Sequence, residues 1–398
     1  MDAFILSAVR TPIGKFLGGL SELPAPKLGA IAIAEAVKRA QVNPNQVEDV
    51  VMGNVVQAGV GQAPARQAAI FAGIPDSVPA HTTNMVCGSG LKAVMLAAQS
   101  IRAGDANLVV AGGMESMSRA PFLLQGVRQG YKYGNQTTVD ALVSDGLWCA
   151  FENCAMGDSA DYIATKCEIS RADQDRFAAQ SHQRAAAAWA SGAFAEEVVA
   201  VTFPASGKKP IPPVERDEGI RPDTTAEGLA KLKPAFRSDG TVTAGNASQL
   251  SDGGAAVVVA SGRFVEQNSA KPLARILSYS MSGVAPKDIF IAPITAVKSA
   301  CEKAKLAVSD IDLFELNEAF AAQMLACGKG LNLDEAKVNV HGGAVALGHP
   351  IGASGARVLV TLLHALKRHN KRYGLASLCL GGGNAVAMVV ERVSWAGN

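Results

Sequence analysis

Twice along this chain the same succession of local signals appears, and that repetition limits the fold more than any other feature. AVKRAQVNPNQVEDVVMGNVVQ (36–57) reads as a helix end, a turn, a strand and then Gly-Asn, and ACEKAKLAVSDIDLFELNEAFA (300–321) has the same layout. Each is followed by a glycine-rich turn that opens a long helix, CGSGLKAVMLAAQSIRAG and then IGASGARVLVTLLHALKRH. Each of those helices leads to a strand ending in glycines, VVAGGMES and ASLCLGGGNA. A repeat of this kind predicts two like halves packed about a pseudo-twofold, with a cleft between them as the natural place for a site.

Within the halves, AFILSAVR, DVVMGNVV, LVVAGG, AAVVVASG, VNV and LASLCLGGG read as strands, several apolar on both faces as in a buried sheet. LGAIAIAEAVKRA, LKAVMLAAQSIRAG and ARVLVTLLHALKRH place apolar residues at i, i+3, i+4 and i+7 and read as helices. The alternation predicts an α/β fold with a mixed, largely parallel sheet. The stretch from about Ser118 to Gln249 breaks the pattern. There QGVRQGYKYGNQ is rich in Gly and Tyr, SRAD marks a helix start at Ser170, and PASGKKPIPPVERDEGIRPD is rich in proline. It reads as an insertion folded over the first half and carrying binding or assembly. The expected division is 1–117 with 250–270 for the first half, 118–249 for the insertion, and 271–398 for the second half.

At 398 residues, 48% hydrophobic and 18% charged, the chain exceeds one ordinary core and is able to bury large ones. Its 37 basic and 35 acidic residues nearly cancel and only 5% are aromatic, so nothing draws it to nucleic acid or a membrane, and an anionic ligand needs a local site. Seven cysteines without a CxxC pair are no disulfide framework and point to a reducing compartment. MDAFILSAVR is too short for a signal peptide, no stretch nears the roughly 18 apolar residues of a membrane span, and ERVSWAGN is neither a peroxisomal nor a prenylation signal. A soluble, cytoplasmic enzyme is expected.

Cys87 follows the strand-like HTTNMV and opens a helix, where the dipole and unpaired N–H groups favour a thiolate and Gly88, Ser89 and Gly90 leave room for a substrate carbonyl. Cys379 ends the strand ASLCL before three glycines, a backbone able to approach and hold an oxyanion. His349 lies in GGAVALGHPIGASGAR, held by Pro350, and a neutral imidazole beside Cys87 makes a thiol–imidazole pair. His341 lies eight residues earlier, but no third ligand at metal spacing follows, so no metal site is expected. Asn317 and Glu318 sit where a strand becomes a helix, either as a cap or as an amide projected into the cleft. Cys149, Cys154, Cys167, Cys301 and Cys327 read as packing thiols, and the glycine loops match neither phosphate fingerprint.

Taken together, NMVCGSGLKA, VVAGGMESMS, LNEAFAAQ, VHGGAVALGHPIGASGAR and LCLGGGNAVAM resemble the thiolase family, and TVTAGNAS and RPDTTAEGLAKLKPAF add to a resemblance that runs from first strand to last. It implies a thiolase fold: two duplicated βαβαβαββ halves in a layered αβαβα core, with a loop domain inserted in the first. It implies reversible Claisen condensation of two acetyl-CoA to acetoacetyl-CoA plus CoA, or thiolysis of 3-oxoacyl-CoA, with coenzyme A thioesters as substrates and no permanently bound cofactor. By this resemblance Cys87 carries the acyl group and His349 activates it. Cys379 moves the α-proton, and Asn317 holds a water that joins His349 in one oxyanion hole. The backbone N–H groups of Cys87 and Gly381 make the other. Arg221 matches an adenine-contacting arginine and Ser248 a serine near the pantetheine, while Leu147, Met156, Phe236, Ala319 and Phe320 match apolar positions along the pantetheine and acyl group. GVRQGYKYGN and SDGLWCAF resemble the tetramerisation loop of biosynthetic members and the segment adjoining it, which implies a homotetramer built as a dimer of dimers.

The chain departs from the short-chain biosynthetic pattern at Ala155, where a histidine is usual, and at Ile289–Pro293, where Met-Gly opens the usual run. Gln249, Ser251 and Asn384 differ as well, and the first two of these three resemble degradative members. A longer or branched acyl substrate is therefore the alternative expectation. A decarboxylating ketoacyl synthase would need a second active-site histidine, a dead relative would lack a cysteine or the histidine, and a cysteine hydrolase leaves Cys379 unexplained.

Overall fold

The computed structural model describes residues 2–203 and 211–393. Part of the proline-rich stretch (204–210) and the end of ERVSWAGN (394–398) lie outside the described residues. Nine strands build the main sheet: β1 Ala3–Arg10, β2 Asp49–Gly53, β3 Ala80–Thr83, β4 Leu108–Ser116, β5 Ser251–Ser261, β6 Ala274–Gly283, β7 Leu313–Leu316, β8 Tyr373–Leu380 and β9 Asn384–Arg392. Their order is β7-β8-β9-β6-β1-β5-β4-β2-β3, and a two-residue strand, Gly14–Lys15, pairs beside β5. The main helices are α1 Ala25–Arg39, α2 Pro64–Phe71, α3 Ser89–Ala103, α4 Met156–Lys166, α5 Arg171–Ala190, α6 Ala292–Ala304, α7 Ala321–Leu331 and α8 Ile351–Arg368.

The strand order is a palindrome of roles. Reading outward from the centre, β1, β5, β4, β2 and β3 of the first half match β6, β9, β8 and β7 of the second. The parallel bridge Phe314↔Val338 stands where a fifth strand would be. The halves meet through three residue pairs of β1 and β6, Ala3↔Ile276, Phe4↔Arg275 and Ile5↔Ala274. One core buries α3 and α8 between the inner faces, with Leu91, Val94, Ile101, Leu359, Leu362, Leu378 and Val386 in contact. On the outer faces α1 and α2 cover the first half and α6 and α7 the second. The result is the layered duplicate that the repeat predicts.

Three expectations change. The sheet is mixed, but only β2–β3, β2–β4 and β7–β8 pair in parallel, and every other pairing is antiparallel. β8 and β9 are joined by a hairpin, β5 follows the long excursion, and β6 follows β5 through a short helix, Gly262–Gln267. VNV is no strand. Asn339 has φ +45°, and its side chain accepts from Leu316 N (2.9 Å) and donates to Leu316 O (2.9 Å), replacing the ladder with a side chain. Conversely, β6 (ARILSYSMSG) and β9 (NAVAMVVER) are full strands that the pattern reading passed over.

Between Ser116 and Ser251 the described residues add no strand to the main sheet; they form two small ribbons, α4, α5 and a short turn of helix at Ala226–Leu229. Ser170 caps α5 as SRAD predicts, accepting from Asp173 N (3.1 Å). Among the described residues no helix is long and apolar enough to cross a membrane.

Candidate active site

The two central helices cross where neither carries a side chain. A Cβ on Gly90 would meet Ala356 N at 2.6 Å, and one on Gly355 would meet Leu91 N at 2.3 Å. Glycine at both positions lets the backbones touch. The N-termini of α3 and α8 are thereby brought side by side, and Cys87 and His349 are the residues that lead into them.

Cys87 does not itself begin the helix. It sits in a tight turn, with Gly88 as the N-cap of α3 and Val86 at φ +46°. Ser89 fastens that turn, its Oγ donating to Val86 O (2.6 Å) and accepting from Met85 N (2.8 Å). A left-handed valine is strained, and the strain re-aims the neighbouring thiol. The backbone N–H groups of Cys87 and Gly381 favour its thiolate. Burial is the larger effect, and Glu115 adds to it, so the thiol is pushed up to about 12. The helix-terminus expectation of a ready thiolate is therefore overturned by desolvation.

His349 is 6% exposed, and burial with the Arg357 charge pushes its imidazole down to about 3, so it is neutral at rest. Its Nδ1 lies 2.6 Å from Ser354 Oγ, which is also 2.9 Å from Pro350 O. One hydroxyl hydrogen facing two acceptors accommodates either neutral tautomer of the imidazole. The loop is pinned by His349 N, which donates to Gln249 O (3.0 Å) and Ser251 Oγ (3.2 Å). Gln249 Nε2 in turn donates to Gly219 O, Val345 O and Ala346 O. Gly348 has φ +110°, and a Cβ there would meet Ser251 Oγ at 2.2 Å.

Cys379 is buried at the end of β8, and burial followed by the Cys87 charge pushes its thiol well above the ordinary range. Asn317 caps nothing: α7 starts at Ala321 with Phe320 as its N-cap. The buried Asn317 amide lies behind His349 instead, its Nδ2 at 3.4 Å from both ring nitrogens. Equal distances place that nitrogen over the face of the imidazole, not in line with either lone pair. Glu318 is spent on structure, accepting from Ser181 Oγ (2.7 Å), Asn339 Nδ2 (2.9 Å) and Val345 N (3.1 Å).

A cavity of about 230 Å³ gathers Cys87, His349, Cys379 and Gly381 with Leu147, Met156, Phe236, Ser248, Ala319 and Phe320. Ala155, Gln249, Ile289 and Phe290, singled out as departures, line it too. Arg221 is exposed and off this cavity, its N–H donating to His182 Nδ1 (3.1 Å). Sequence reasoning missed Ile351 and Leu380 on the wall, and Ser354 and Arg357 behind it. Ser354 and Arg357 had a signal: polar groups on a helix otherwise packed with small and apolar residues.

A half-buried thiol, a neutral imidazole, a second, buried thiol and the backbone of Gly381 in one apolar cavity are the groups that an acyl-transfer site of the thiolase type needs. Family models agree with it, "Thiolase, N-terminal domain" over residues 3–263 and "Thiolase, C-terminal domain" over 270–392. The chain belongs to the thiolase family and is an acyltransferase. It is 52% identical over 392 residues to an acetyl-CoA acetyltransferase of Chromobacterium violaceum, covering 98% of this chain and 100% of that protein. It is 50% identical over 394 residues to an acetyl-CoA acetyltransferase of Escherichia coli, covering 99% and 100%. The crystal structure of the Bacillus anthracis acetyl-CoA acetyltransferase matches with a TM-score of 0.95 at 43% identity, covering 98% of this chain and 99% of that one.

Proposed function

We propose that this chain is an acetyl-CoA C-acetyltransferase joining two acetyl-CoA into acetoacetyl-CoA plus CoA, reversibly and through an acyl-Cys87. The observation that carries the reading is the gathering of Cys87, His349, Cys379 and Gly381 in one apolar cavity. Cys87 sulfur attacks the thioester carbon, its proton passing to His349. The carbonyl oxygen becomes an oxyanion held by the backbone N–H groups of Cys87 and Gly381. The bond to CoA sulfur breaks and His349 returns the proton to it. Cys379 then passes its own proton to His349 and, as the thiolate, takes the α-proton of a second acetyl-CoA, whose thioester oxygen is held by His349 and by a water on Asn317. The resulting carbanion attacks the acyl carbon, a C–C bond forms, the bond to Cys87 breaks, and the proton on His349 restores the Cys87 thiol while Cys379 keeps the α-proton.

In this reading 118–249 is a loop domain for CoA binding and assembly, with Leu147, Met156, Phe236 and Ser248 along the pantetheine and Arg221 toward the adenine. CoA thioesters are substrates, and no permanent cofactor takes part. Assembly into a cytoplasmic homotetramer is supported by the apolar side chains that this segment leaves exposed, Phe122, Leu124, Val127, Tyr133 and Phe151. A second reading, thiolysis of longer or 2-methyl-branched 3-oxoacyl-CoA, is favoured by Ala155, which stands where a histidine is usual and makes that part of the wall small and apolar. Thiolysis rates across 3-oxoacyl-CoAs of rising length, with one 2-methyl substrate, separate the two: a sharp C4 preference supports acetyl transfer, and equal or higher rates on longer chains support the alternative. Absence of an acetyl adduct on Cys87 by mass spectrometry after incubation with acetyl-CoA would sink both.

A further inference from the structure

Ser354 and Arg357 are three residues apart on α8 and share one face of that helix. Ser354 meets His349. Arg357, 1% exposed, donates from Nη2 to Asn317 Oδ1 (3.3 Å), and its Nη1 lies 3.6 Å from Glu315 Oε2. A carboxamide has nearly the same shape either way round, but one end accepts and the other donates. A guanidinium has only donors, so it selects the oxygen. With Oδ1 turned to Arg357, the N–H end is left against His349. Reversed, the same amide would set a carbonyl oxygen beside the imidazole and repel an anionic oxygen there.

The surroundings of the pair speak against a purely stabilising role. Arg357 Nε and Nη1 and both Glu315 carboxylate oxygens are buried without a hydrogen-bond partner. A buried ion pair held this loosely is a poor source of stability. The strand order explains how it serves orientation: Glu315 on β7 holds the guanidinium two residues before the chain presents Asn317.

We propose that Arg357 is a positioning residue that fixes the Asn317 carboxamide with its N–H toward His349, so that this side of the site donates to the thioester enolate. The inference rests on the Asn317 role given under the proposed function. Its test is a double-mutant cycle on the full enzyme. Asn317→Ala alone examines that role and should lower kcat by about 10²-fold. The neutral pair Glu315→Met/Arg357→Met removes the donor without leaving a lone buried charge and should lower kcat by about 10–10²-fold with KM within about twofold. Arg357→Lys, which keeps a donor, should recover part of the loss. In the Asn317→Ala background the neutral pair should cost less than about twofold, because its effect passes through the amide. Equal losses in both backgrounds, or no loss in the parent, would overturn the Arg357 role while leaving Asn317 intact. An unimpaired Asn317→Ala would overturn the reading beneath it. If the neutral pair does not fold, Arg357→Lys takes its place in the same cycle and is judged on the same non-additivity.

Discussion

The ionisation of Cys87 offers the sharpest test, because burial and the helix terminus pull it in opposite directions. With the thiol pushed up to about 12, the thiolate fraction at pH 7 is about 10⁻⁵, against roughly 3 × 10⁻² for a free cysteine near 8.5. The ratio is about 3 × 10³. A more basic thiolate is also a better nucleophile, and a Brønsted slope of about 0.4–0.5 returns a factor of roughly 30–60. Alkylation of Cys87 by iodoacetamide at pH 7 should therefore run about 10²-fold slower than that of free cysteine. The rate should climb about tenfold per pH unit from 6 to 10 without a plateau. His349, pushed down to about 3, stays neutral over this range and adds no inflection. Glu115, raised to about 8 by burial, does titrate within it. Its developing charge opposes the thiolate, so the line should bend downward near there, and Glu115→Gln should straighten it. The assay is peptide-resolved mass spectrometry of Cys87 alkylation in a Cys379→Ala enzyme, followed against pH. A plateau below pH 8, or a rate at pH 7 matching free cysteine, would refute the dominance of desolvation. The consequence for catalysis is that Cys87 must lose its proton as it attacks, so His349→Gln should slow acylation by about 10²–10⁴-fold while barely changing alkylation.

Cys379→Ala should still take up an acetyl group on Cys87, yet exchange no α-hydrogen of acetyl-CoA in deuterated water; rapid deuterium wash-in would remove Cys379 from the proton-moving role. Gly348→Ala places a Cβ where Ser251 Oγ stands and forces an alanine to φ +110°. Its cost should fall on the His349 loop as a loss of kcat of about tenfold or more, and unchanged kinetics would show that the loop position is not tightly set. Asp217 accepts from Arg10 Nη1 (2.7 Å) and Nη2 (3.0 Å), Ile13 N (2.8 Å) and Trp189 Nε1 (3.0 Å). Asp217→Ala leaves the buried Arg10 with one carboxylate partner, Glu197, in place of two, so denaturant unfolding should show a loss of about 3–5 kcal/mol; a loss under about 1 kcal/mol would mean water replaces the carboxylate.

What the sequence made legible, and what it hid, follows from where α8 lies. Cys87, His349 and Cys379 could be read because each stands at a glycine-lined edge of a regular element, a local signal that needs no knowledge of neighbours. Asn317 stayed ambiguous between cap and site, because only the late start of α7 at Ala321 decides it. Ser354 and Arg357 were hidden by the assumption behind any amphipathic reading, that the polar face of a helix is wet. This helix packs in the central core against α3 and strands of both halves, and is buried from Ile351 to Leu363. Its polar residues therefore have to find partners inside: Ser354 on His349, Arg357 on Asn317, and Thr361 on Glu197 (3.2 Å). The strands β6 and β9 were passed over for a related reason. Serine is mostly an exposed residue, yet in ARILSYSMSG Ser278 and Ser280 are buried, donating to Ala300 O (2.6 Å) and Ser299 Oγ (2.8 Å) on α6. In a layered fold the sites that matter for orientation are polar groups facing inward, and their partners come from distant segments of the chain. The duplicate places two glycine-led helices back to back, so the inward polar groups of α8 meet the His349 turn, the end of β7 at Asn317 and Glu197 of the long excursion.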